Sequence, residues 1–378
     1  MRDEDINRLS EPYTSPRADL DRRFNASIGA DVPHATILLR EIFSDLDRTN
    51  LGISWWDTLP IHERALISDY LYQSAFSIEV NLAEAKLHYL EFLDAREKHE
   101  KRIADLVTVG PRGEPVVKYP PAQAPIDDLV NKLEAMHICG FFQAIGSTLD
   151  CLGACIIGVL GLNARLRKSD IARAKQALDK LTVTGAAGNK IQVDFKTFFD
   201  SVKSSSGPLG WLEWSDQYRN MFIHRGRRYT FNQMTPRWSL VVDKEAQSRI
   251  ITTSTMHLVR EPDKSDAEGF MHPNVVLNED SEITLTGVFR SCRTMEETIC
   301  EQLVDTWRRR RADPRLIEQP TSQWDSDFKL SVFTGYDTTA EPIRKEVIVS
   351  SGVMLQRMIS SGTVDSRLNM WKGSAWDK

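Results

Sequence analysis

The sequence predicts a mainly α protein, in which a helical bundle is followed by a smaller mixed α+β domain. Apolar residues recur at spacings of three and four over most of residues 35–228, which is the period of an α-helix. After residue 229, β-branched residues recur at a spacing of two, which is typical of strands. We therefore expect a polar tail over 1–34, the bundle over 35–228 and the mixed domain over 229–378.

Composition narrows the class of protein. A chain of 378 residues, 41% hydrophobic and 27% charged, is long enough for two globular domains that need no disulfides. Its formal net charge of -5 argues against nucleic-acid binding over the whole surface but allows local basic patches. Five cysteines, an odd number without the spacing of a disulfide framework or a zinc site, indicate a reducing compartment. The charged N-terminus lacks a secretory signal, so we expect a cytoplasmic protein.

The first elements are predicted from helical periodicity and its interruption. A short amphipathic helix over Ala35–Arg48 precedes a longer one over about Ile61–Val107, which contains neither proline nor glycine. Five prolines and two glycines then predict a loop over Gly110–Pro125. Two acidic residues favour the start of the next helix, which should cover Asp127–Leu162.

The stretch Cys139–Leu162 is apolar enough to be mistaken for a membrane span. Asp150 lies near its middle, where a carboxylate would cost about 2.5 to 3.5 kcal/mol on insertion. Gln143, Ser147 and Thr148 add further polar atoms. We expect a helix that is buried within the bundle and makes no membrane contact. Recovery of the protein only with detergent would contradict this expectation.

Shorter elements complete the predicted bundle. Ser169 can cap a helix over "DIARAKQALDKL", and "FKTFFDSVKS" predicts another helix. The stretch Ser204–Gly210 breaks the chain. Pro208 is suited to the start of the helix that follows, Trp211–Arg225.

The mixed domain is predicted from β-branched segments followed by a helical one. The segments "RWSLVVD", "SRIITTSTMHLV" and "SEITLTGVFRSC" are predicted strands, whereas "MEETICEQLVDTWRRRR" has helical periodicity. The segment "PIRKEVIVSSGVMLQRMI" fits either a strand or a helix.

The stretch "QYRNMFIHRGRR", residues 217–228, places reactive side chains on the predicted helix Trp211–Arg225. At about 100° per residue, its apolar side chains fall on one stripe that should face the core, namely Trp211, Trp214, Tyr218, Met221 and Phe222. Arg219, Asn220 and His224 fall on the opposite arc. We therefore do not expect these three residues to serve packing.

The spacing of the three polar residues constrains a site. Asn220 and His224, four residues apart, are neighbours on a helix surface, whereas Arg219 and His224 lie about 140° apart. Three arrangements could complete the site: the arginine side chain reaches round, the helix bends near His224, or a second copy of the helix contributes. The third arrangement suits a homodimer with a composite site across a two-fold axis.

These residue types suit the cleavage of RNA. A histidine accepts and donates protons at neutral pH, and an arginine binds phosphate oxygens as negative charge grows in the transition state. Attack of an RNA 2'-hydroxyl on the neighbouring phosphate then requires no metal and no other cofactor. Asn220 would orient the imidazole ring or contact the phosphate. Three further arginines would hold the flanking RNA backbone, namely Arg225, Arg227 and Arg228.

The arrangement of Arg219, Asn220 and His224, written R-N-x3-H, resembles the active-site motif of the HEPN superfamily. That motif is R-x(4 to 6)-H, often with a polar residue directly after the arginine. The resemblance covers the motif and the second half of the predicted bundle. It implies an earlier long helix beside the motif helix, on which Ser147 and Asp150 are the candidate supporting residues. Catalytic members are metal-independent ribonucleases that act as dimers, often as toxins or effectors of antiviral defence.

A different class of function is compatible with the same residues. A non-catalytic helical scaffold could contact RNA or a protein through the basic turn, and some HEPN members without the motif are scaffolds. A regulatory protein partner fits either function. The run "WRRRR" could grip RNA, but we expect it to be an ordinary basic helix end, and we expect His137 to be a satisfied core histidine. The sequence has no glycine-rich phosphate loop, nucleophile elbow or histidine-cysteine metal pattern, so nucleotide and metal chemistry are not expected.

Overall fold

A computed structural model describes much of the chain, and mainly its helices. The described residues are 34–45, 61–109, 115–117, 125–165, 169–181, 187–225, 230–237, 251–259, 276–313 and 316. Over these residues the protein is mainly α, as the sequence predicts. Its seven helices there are α1 (His34–Asp45), α2 (Ile61–Leu106), α3 (Pro125–Leu160), α4 (Ile171–Asp179), α5 (Ala187–Ser205), α6 (Trp211–Arg225) and α7 (Ser281–Ala312).

Five strands accompany the helices in the same residues, and all of them pair antiparallel. They are β1 (Val107–Val109), β2 (Pro115–Val117), β3 (Thr230–Arg237), β4 (Ile251–Val259) and β5 (Val276–Asp280). β1 and β2 pair with each other, and the other three form a sheet in the order β3-β4-β5. β2 lies inside the stretch expected to be only a loop, because its valines continue an extended backbone between the prolines.

Contacts divide the chain into two compact units that are interleaved along the sequence. The described part of the first unit, here called the motif unit, falls within 80–148 and 202–295. That of the second, here called the arginine unit, falls within 34–79, 149–201 and 296–316. Helices α2, α3 and α7 each contribute residues to both units. The expected domain boundary at Arg228 lies outside the described residues.

Each unit has its own apolar core. In the motif unit the largest buried side chains are aromatic and less than 5% exposed, namely Phe92, Phe141, Phe142, Tyr218 and Phe289. In the arginine unit the core combines aliphatic and aromatic side chains, all at most 1% exposed, namely Leu38, Ile42, Leu71, Phe199 and Trp307. Burial of these side chains removes apolar surface from water and is the main term that stabilises each unit.

Helix α3 contains the apolar stretch that could be mistaken for a membrane span. Among the described helices, Lys132–Leu160 is long and apolar enough to cross a membrane. However, 78% of its most apolar window is buried inside the protein. Such burial is typical of a core helix, which agrees with the expectation from the sequence.

One predicted strand is wrong. The segment "SEITLTGVFRSC" forms the beginning of α7, a helix of 32 residues. Its β-branched residues favoured a strand, but the residues that the protein buries follow the helical period, namely Leu285, Val288, Phe289 and Cys292. Tertiary packing therefore overrides local propensity. The segment "MEETICEQLVDTWRRRR" continues α7, as predicted.

The other predictions for the C-terminal part have mixed outcomes. β4 confirms a strand within "SRIITTSTMHLV". Nearly all of "RWSLVVD" and the whole of "PIRKEVIVSSGVMLQRMI" lie outside the described residues. A separate mixed α+β domain is thus not supported by the described residues.

A predicted helix cap also differs from the structure. Asp170, and not Ser169, caps α4, because its side chain accepts a hydrogen bond of 2.6 Å from the backbone N–H of Arg173. The negative charge of an aspartate at this position is also stabilised by the positive end of the helix dipole.

Candidate functional site

Helix α6 carries the R-N-x3-H motif, and its first turn is set by a tight bend. Gly210 has φ of 82°, a left-handed conformation that favours glycine. The backbone N–H of Trp211 donates to the carbonyl of Pro208 at 3.1 Å, and that of Trp214 donates to the carbonyl of Gly210 at 3.0 Å. The helix therefore begins at Trp211, as the sequence predicts.

The apolar stripe of α6 packs against α3 around Phe142. The ring centroid of Phe142 lies 4.7 Å from that of Tyr218, 5.6 Å from that of Trp214 and 6.3 Å from that of Phe222. Tyr218 is 0% exposed. The predicted stripe is confirmed, and it holds the motif helix beside the long helix in the motif unit.

The expectation that Arg219 lies opposite the packed stripe is wrong. At about 100° per residue it lies about 60° from Phe222, at the edge of the stripe, and its side chain does not stand in solvent. Its side chain is 21% exposed and its Nε is buried. A β-carbon at Gly146 of α3 would lie 2.2 Å from the Arg219 Cδ, so the arginine stem crosses α3 where glycine leaves room. The long side chain of arginine can turn its methylenes toward an apolar surface while its charged end stays partly exposed.

Asp216 connects two of the three motif residues. The Asn220 Nδ2 donates to the Asp216 Oδ2 at 3.2 Å, and the Arg219 Nη1 lies 3.8 Å from the Asp216 Oδ1. Asn220 itself is exposed. Sequence reasoning missed Asp216, although its position, four residues before Asn220 on a helix, is a signal that could have identified it.

The structure describes only some of the other predicted site residues. His224 and Arg225 lie in the last turn of α6, and their side chains are outside the described part of the protein, as are Arg227 and Arg228 altogether. Ser147 and Asp150 are both half-buried on α3. Ser147 directly follows Gly146, and Asp150 lies one helical turn further along α3.

The arginines at the end of α7 form hydrogen bonds and ion pairs within the arginine unit. Glu41 accepts hydrogen bonds from Arg308 at 2.7 and 2.9 Å and from Arg311 at 2.8 Å. Arg310 is 0% exposed and donates to the carbonyls of Gly158 and Val159 at 3.2 and 2.7 Å, near the C-terminus of α3. These contacts account for three of the four consecutive arginines without RNA and favour the ordinary interpretation of this run.

A pair of histidines and a histidine–glutamate pair connect α2 and α3. The Nδ1 atoms of His88 and His137 lie 3.1 Å apart, and the His99 Nδ1 lies 2.8 Å from the Oε1 of Glu134, which is 3% exposed. Burial lowers the pKa of His137, and the charge of His88 lowers it further. His137 has a ring partner, as expected, but it is half-buried and does not lie in the core.

The described residues contain no group of three or more histidine, cysteine, aspartate or glutamate side chains that could hold a metal ion. All five cysteines are free thiols, and three of them are buried, namely Cys155, Cys292 and Cys300. Burial raises the pKa of Cys155 and of Cys300 well above the usual value, which disfavours the reactive thiolate.

Comparison with known proteins found no match. No family model, no curated protein and no solved structure matches this chain. The resemblance to the HEPN motif therefore depends on the residues of α6 and their surroundings alone.

Proposed function

We propose that this protein is a metal-independent endoribonuclease of the HEPN type, which cleaves RNA by attack of a 2'-hydroxyl on the adjacent phosphate. The main observation in support is the position of the Arg219 side chain. Its stem is fixed across Gly146 while its side chain remains 21% exposed, and exposed Asn220 follows it on the helix that continues to His224. A cation whose stem is already packed against a helix needs little reorganisation to meet a phosphate, which supports the proposal.

Each residue has a distinct role in this reaction. His224 removes the proton of the 2'-hydroxyl or donates one to the departing 5'-oxygen. Arg219 stabilises the negative charge that grows on the phosphate oxygens, and Asn220 positions the ring or the phosphate. The products are a 2',3'-cyclic phosphate and a 5'-hydroxyl. Ser147 and Asp150 would support the site, and Arg225, Arg227 and Arg228 would bind the flanking backbone.

The site is proposed to be composite and shared between two copies of the chain. Arg219 and His224 lie about 140° apart on a regular helix, and Arg219 is directed onto α3. A homodimer would place the histidine of one copy near the arginine of the other. As an RNA-cleaving dimer in the cytoplasm, the protein would act as a toxin or an antiviral-defence effector, and residues 229–378 would sense its trigger or select its RNA.

A second candidate function is a non-catalytic helical scaffold or a module that binds RNA or protein. The observation in its favour is the contact of both Arg219 and Asn220 with Asp216. A carboxylate beside these groups repels phosphate, so RNA must compete with Asp216 for them. Under this function Arg219 serves the packing of α6 on α3.

Cleavage of total cellular RNA by the purified chain in excess EDTA separates the two functions. We expect 2',3'-cyclic ends with the wild type, none with His224→Ala, and full activity with the control Gln217→Ala, which changes an exposed residue of the same helix. Equal cleavage by wild type and His224→Ala would exclude the histidine mechanism. Retained RNA binding without cleavage by either protein would support the scaffold.

A further inference from the structure

Asp216 contacts both of the side chains that are proposed to meet the RNA phosphate. Its Oδ2 accepts a hydrogen bond from the Asn220 Nδ2 at 3.2 Å, and its Oδ1 lies 3.8 Å from the Arg219 Nη1. One carboxylate therefore meets an amide donor with one oxygen and a guanidinium with the other. The two proposed phosphate ligands thus converge on a single anionic group of the chain itself.

A carboxylate resembles part of an RNA phosphate in charge and shape. It offers two negatively charged oxygens to nearby donors, as the two non-bridging oxygens of a phosphodiester do. Guanidinium and amide groups donate hydrogen bonds to either anion. A phosphate in the place of the Asp216 carboxylate would therefore meet the same two donors, so the contacts of Asp216 mark a position for an RNA phosphate in the motif unit.

Asp216 is not held in this position by burial. Its side chain is 47% exposed, and both contacts are with residues of α6, three and four positions further along the helix. Exposed pairs at these spacings stabilise a helix only weakly. A change of side-chain rotamer is sufficient to take the carboxylate into solvent without moving the helix.

Arg219, in contrast, is held by packing. Its side chain is 21% exposed, and its stem crosses α3 at Gly146, where a side chain would clash with it. The position of the guanidinium therefore depends on α3 and not only on the contact with Asp216. An anion that replaces the carboxylate finds this donor already in place.

The carboxylate and a phosphate cannot share this position. Two anions at contact distance repel each other, and here they also compete for the same donors. A competitor on the same chain lowers the apparent affinity for a ligand, because only the fraction of molecules in which the competitor has moved away can bind. An RNA that binds to Arg219 and Asn220 must therefore displace Asp216.

We infer that Asp216 takes the place of an RNA phosphate when no RNA is bound, and that binding exchanges its carboxylate for the phosphate. The inference rests on the proposed function for the identity of the ligand, but it concerns binding and not the cleavage step. Asp216 is thus a positioning residue and an internal competitor. It holds the donors of Arg219 and Asn220 on one point, and it lowers the apparent affinity for RNA.

Binding of an RNA that cannot be cleaved tests the exchange. The probe is a single-stranded 2'-O-methyl RNA of mixed sequence, which lacks the attacking hydroxyl, and its Kd for the full chain is measured by fluorescence anisotropy. We expect Asp216→Asn to lower the Kd about tenfold, because the amide does not repel the phosphate. Glu301→Gln, the same change of charge at an exposed residue of α7, should alter the Kd less than about twofold. A Kd that Asp216→Asn leaves unchanged or raises would overturn the exchange.

Two further measurements assign the effect to Arg219. In Asp216→Asn one more cation is available to the phosphate, so the plot of log Kobs against the logarithm of the salt concentration should be steeper by about 0.7. In an Arg219→Gln background, Asp216→Asn should change the Kd less than about twofold. A tenfold effect that persists without the arginine would mean that Asp216 acts by general repulsion, which contradicts the inference.

Cleavage assays separate this inference from the ribonuclease activity. With cleavable RNA we expect Asp216→Asn to lower KM by about the same factor as the Kd and to change kcat less. A chain that cleaves no RNA but binds it more tightly as Asp216→Asn would refute the ribonuclease and support the exchange. Cleavage with the same KM in both proteins would support the ribonuclease and refute the exchange.

Discussion

The side chain of Arg219 lies across the backbone of Gly146, so that residue 146 can carry no side chain without displacing the arginine. A β-carbon there would be 2.2 Å from the Arg219 Cδ, 2.5 Å from its Nε and 3.0 Å from its Cζ. All three distances are at or below the closest approach of non-bonded carbon and nitrogen atoms. A glycine on α3 thus sets the position of the motif arginine on α6.

This relationship predicts coupling in a double-mutant cycle. In the wild type, Gly146→Ala should change the free energy of unfolding by less than about 0.5 kcal/mol, because the cost of displacing the flexible end of the Arg219 side chain offsets the gain in helix propensity. In an Arg219→Ala background the clash is gone, and the same change should stabilise by about 0.5 to 1 kcal/mol. Urea unfolding of the four proteins gives the coupling. An equal effect in both backgrounds would contradict the contact.

The same substitution predicts a loss of activity if the ribonuclease proposal is correct. Gly146→Ala displaces a group that must meet the phosphate, and a misplacement of about 1 Å in an active site can lower the rate about a hundredfold. The rate of RNA cleavage should therefore fall while RNA affinity changes little. Gln143→Ala, which alters an exposed residue of α3 with no proposed role in the site, is the control for a general disturbance of this helix. Unchanged cleavage by Gly146→Ala would show that Arg219 does not act on the phosphate.

At Gly287 of α7, alanine should give the gain in helix propensity without an offsetting clash. A β-carbon at Gly287 would contact nothing within 4 Å, so only the helix propensity changes. Alanine should raise the free energy of unfolding by about 0.5 to 1 kcal/mol. Chemical denaturation measures this directly. A loss of stability would mean that the space beside Gly287 is filled in solution.

The contacts of Glu41 predict a stability effect that depends on pH. Burial raises the pKa of Glu41, but the hydrogen bonds and charges of Arg308 and Arg311 outweigh it and bring the pKa below the usual value. The folded state therefore favours the carboxylate, and its contribution is present above the ordinary glutamate pKa and lost as the pH falls through the folded value. Glu41→Gln should cost about 1 kcal/mol at pH 7 and progressively less below about pH 4.5.

Asp305→Asn is the matched control for Glu41→Gln. Asp305 is 59% exposed and lies 3.7 Å from Arg309, which is also on α7. Exposed pairs of this kind contribute little to stability. Thermal unfolding should show almost no change for Asp305→Asn, and a cost equal to that of Glu41→Gln would mean that burial of the acid is not what matters.

The lowered pKa of His137 predicts that the free energy of unfolding falls on mild acidification. Burial, followed by the charge of His88, lowers its pKa, whereas Glu91 and Asp94 act in the opposite direction. Since the unfolded chain then binds the proton more readily than the folded protein does, stability should fall as the pH drops below about 6.5. Unfolding curves between pH 8 and pH 5 should show a smaller decrease for His137→Gln than for the wild type. A wild-type decrease that His137→Gln leaves intact would assign the acid sensitivity to another group.

Helices could be predicted from the sequence wherever burial followed a regular period. The start of α6 at Trp211 and the long α2 were predicted because their apolar spacing and their breaks are local properties of the chain. The beginning of α7 was not predicted as a helix, because its threonines and valine locally favour a strand. Its helical form depends on packing, which buries the residues of one helix face.

The candidate site could be predicted only in part. The residue types and spacing of Arg219, Asn220 and His224 are visible in the sequence. The partner of the arginine stem is Gly146, 73 residues earlier, and no local pattern connects the two.

The contact of Arg310 with the end of α3 has a consequence during protein synthesis. Helix α3 is long and apolar enough to cross a membrane. The residue that donates hydrogen bonds to carbonyls near its C-terminus belongs to α7, which begins about 120 residues after α3 ends. At about 5 to 20 residues per second, translation leaves α3 without that neighbour for on the order of ten seconds. During that time the nascent chain contains α2, whose Leu71 packs at Gly158 of α3, but lacks α7. Codon usage between α3 and α7 should therefore affect the yield of folded protein.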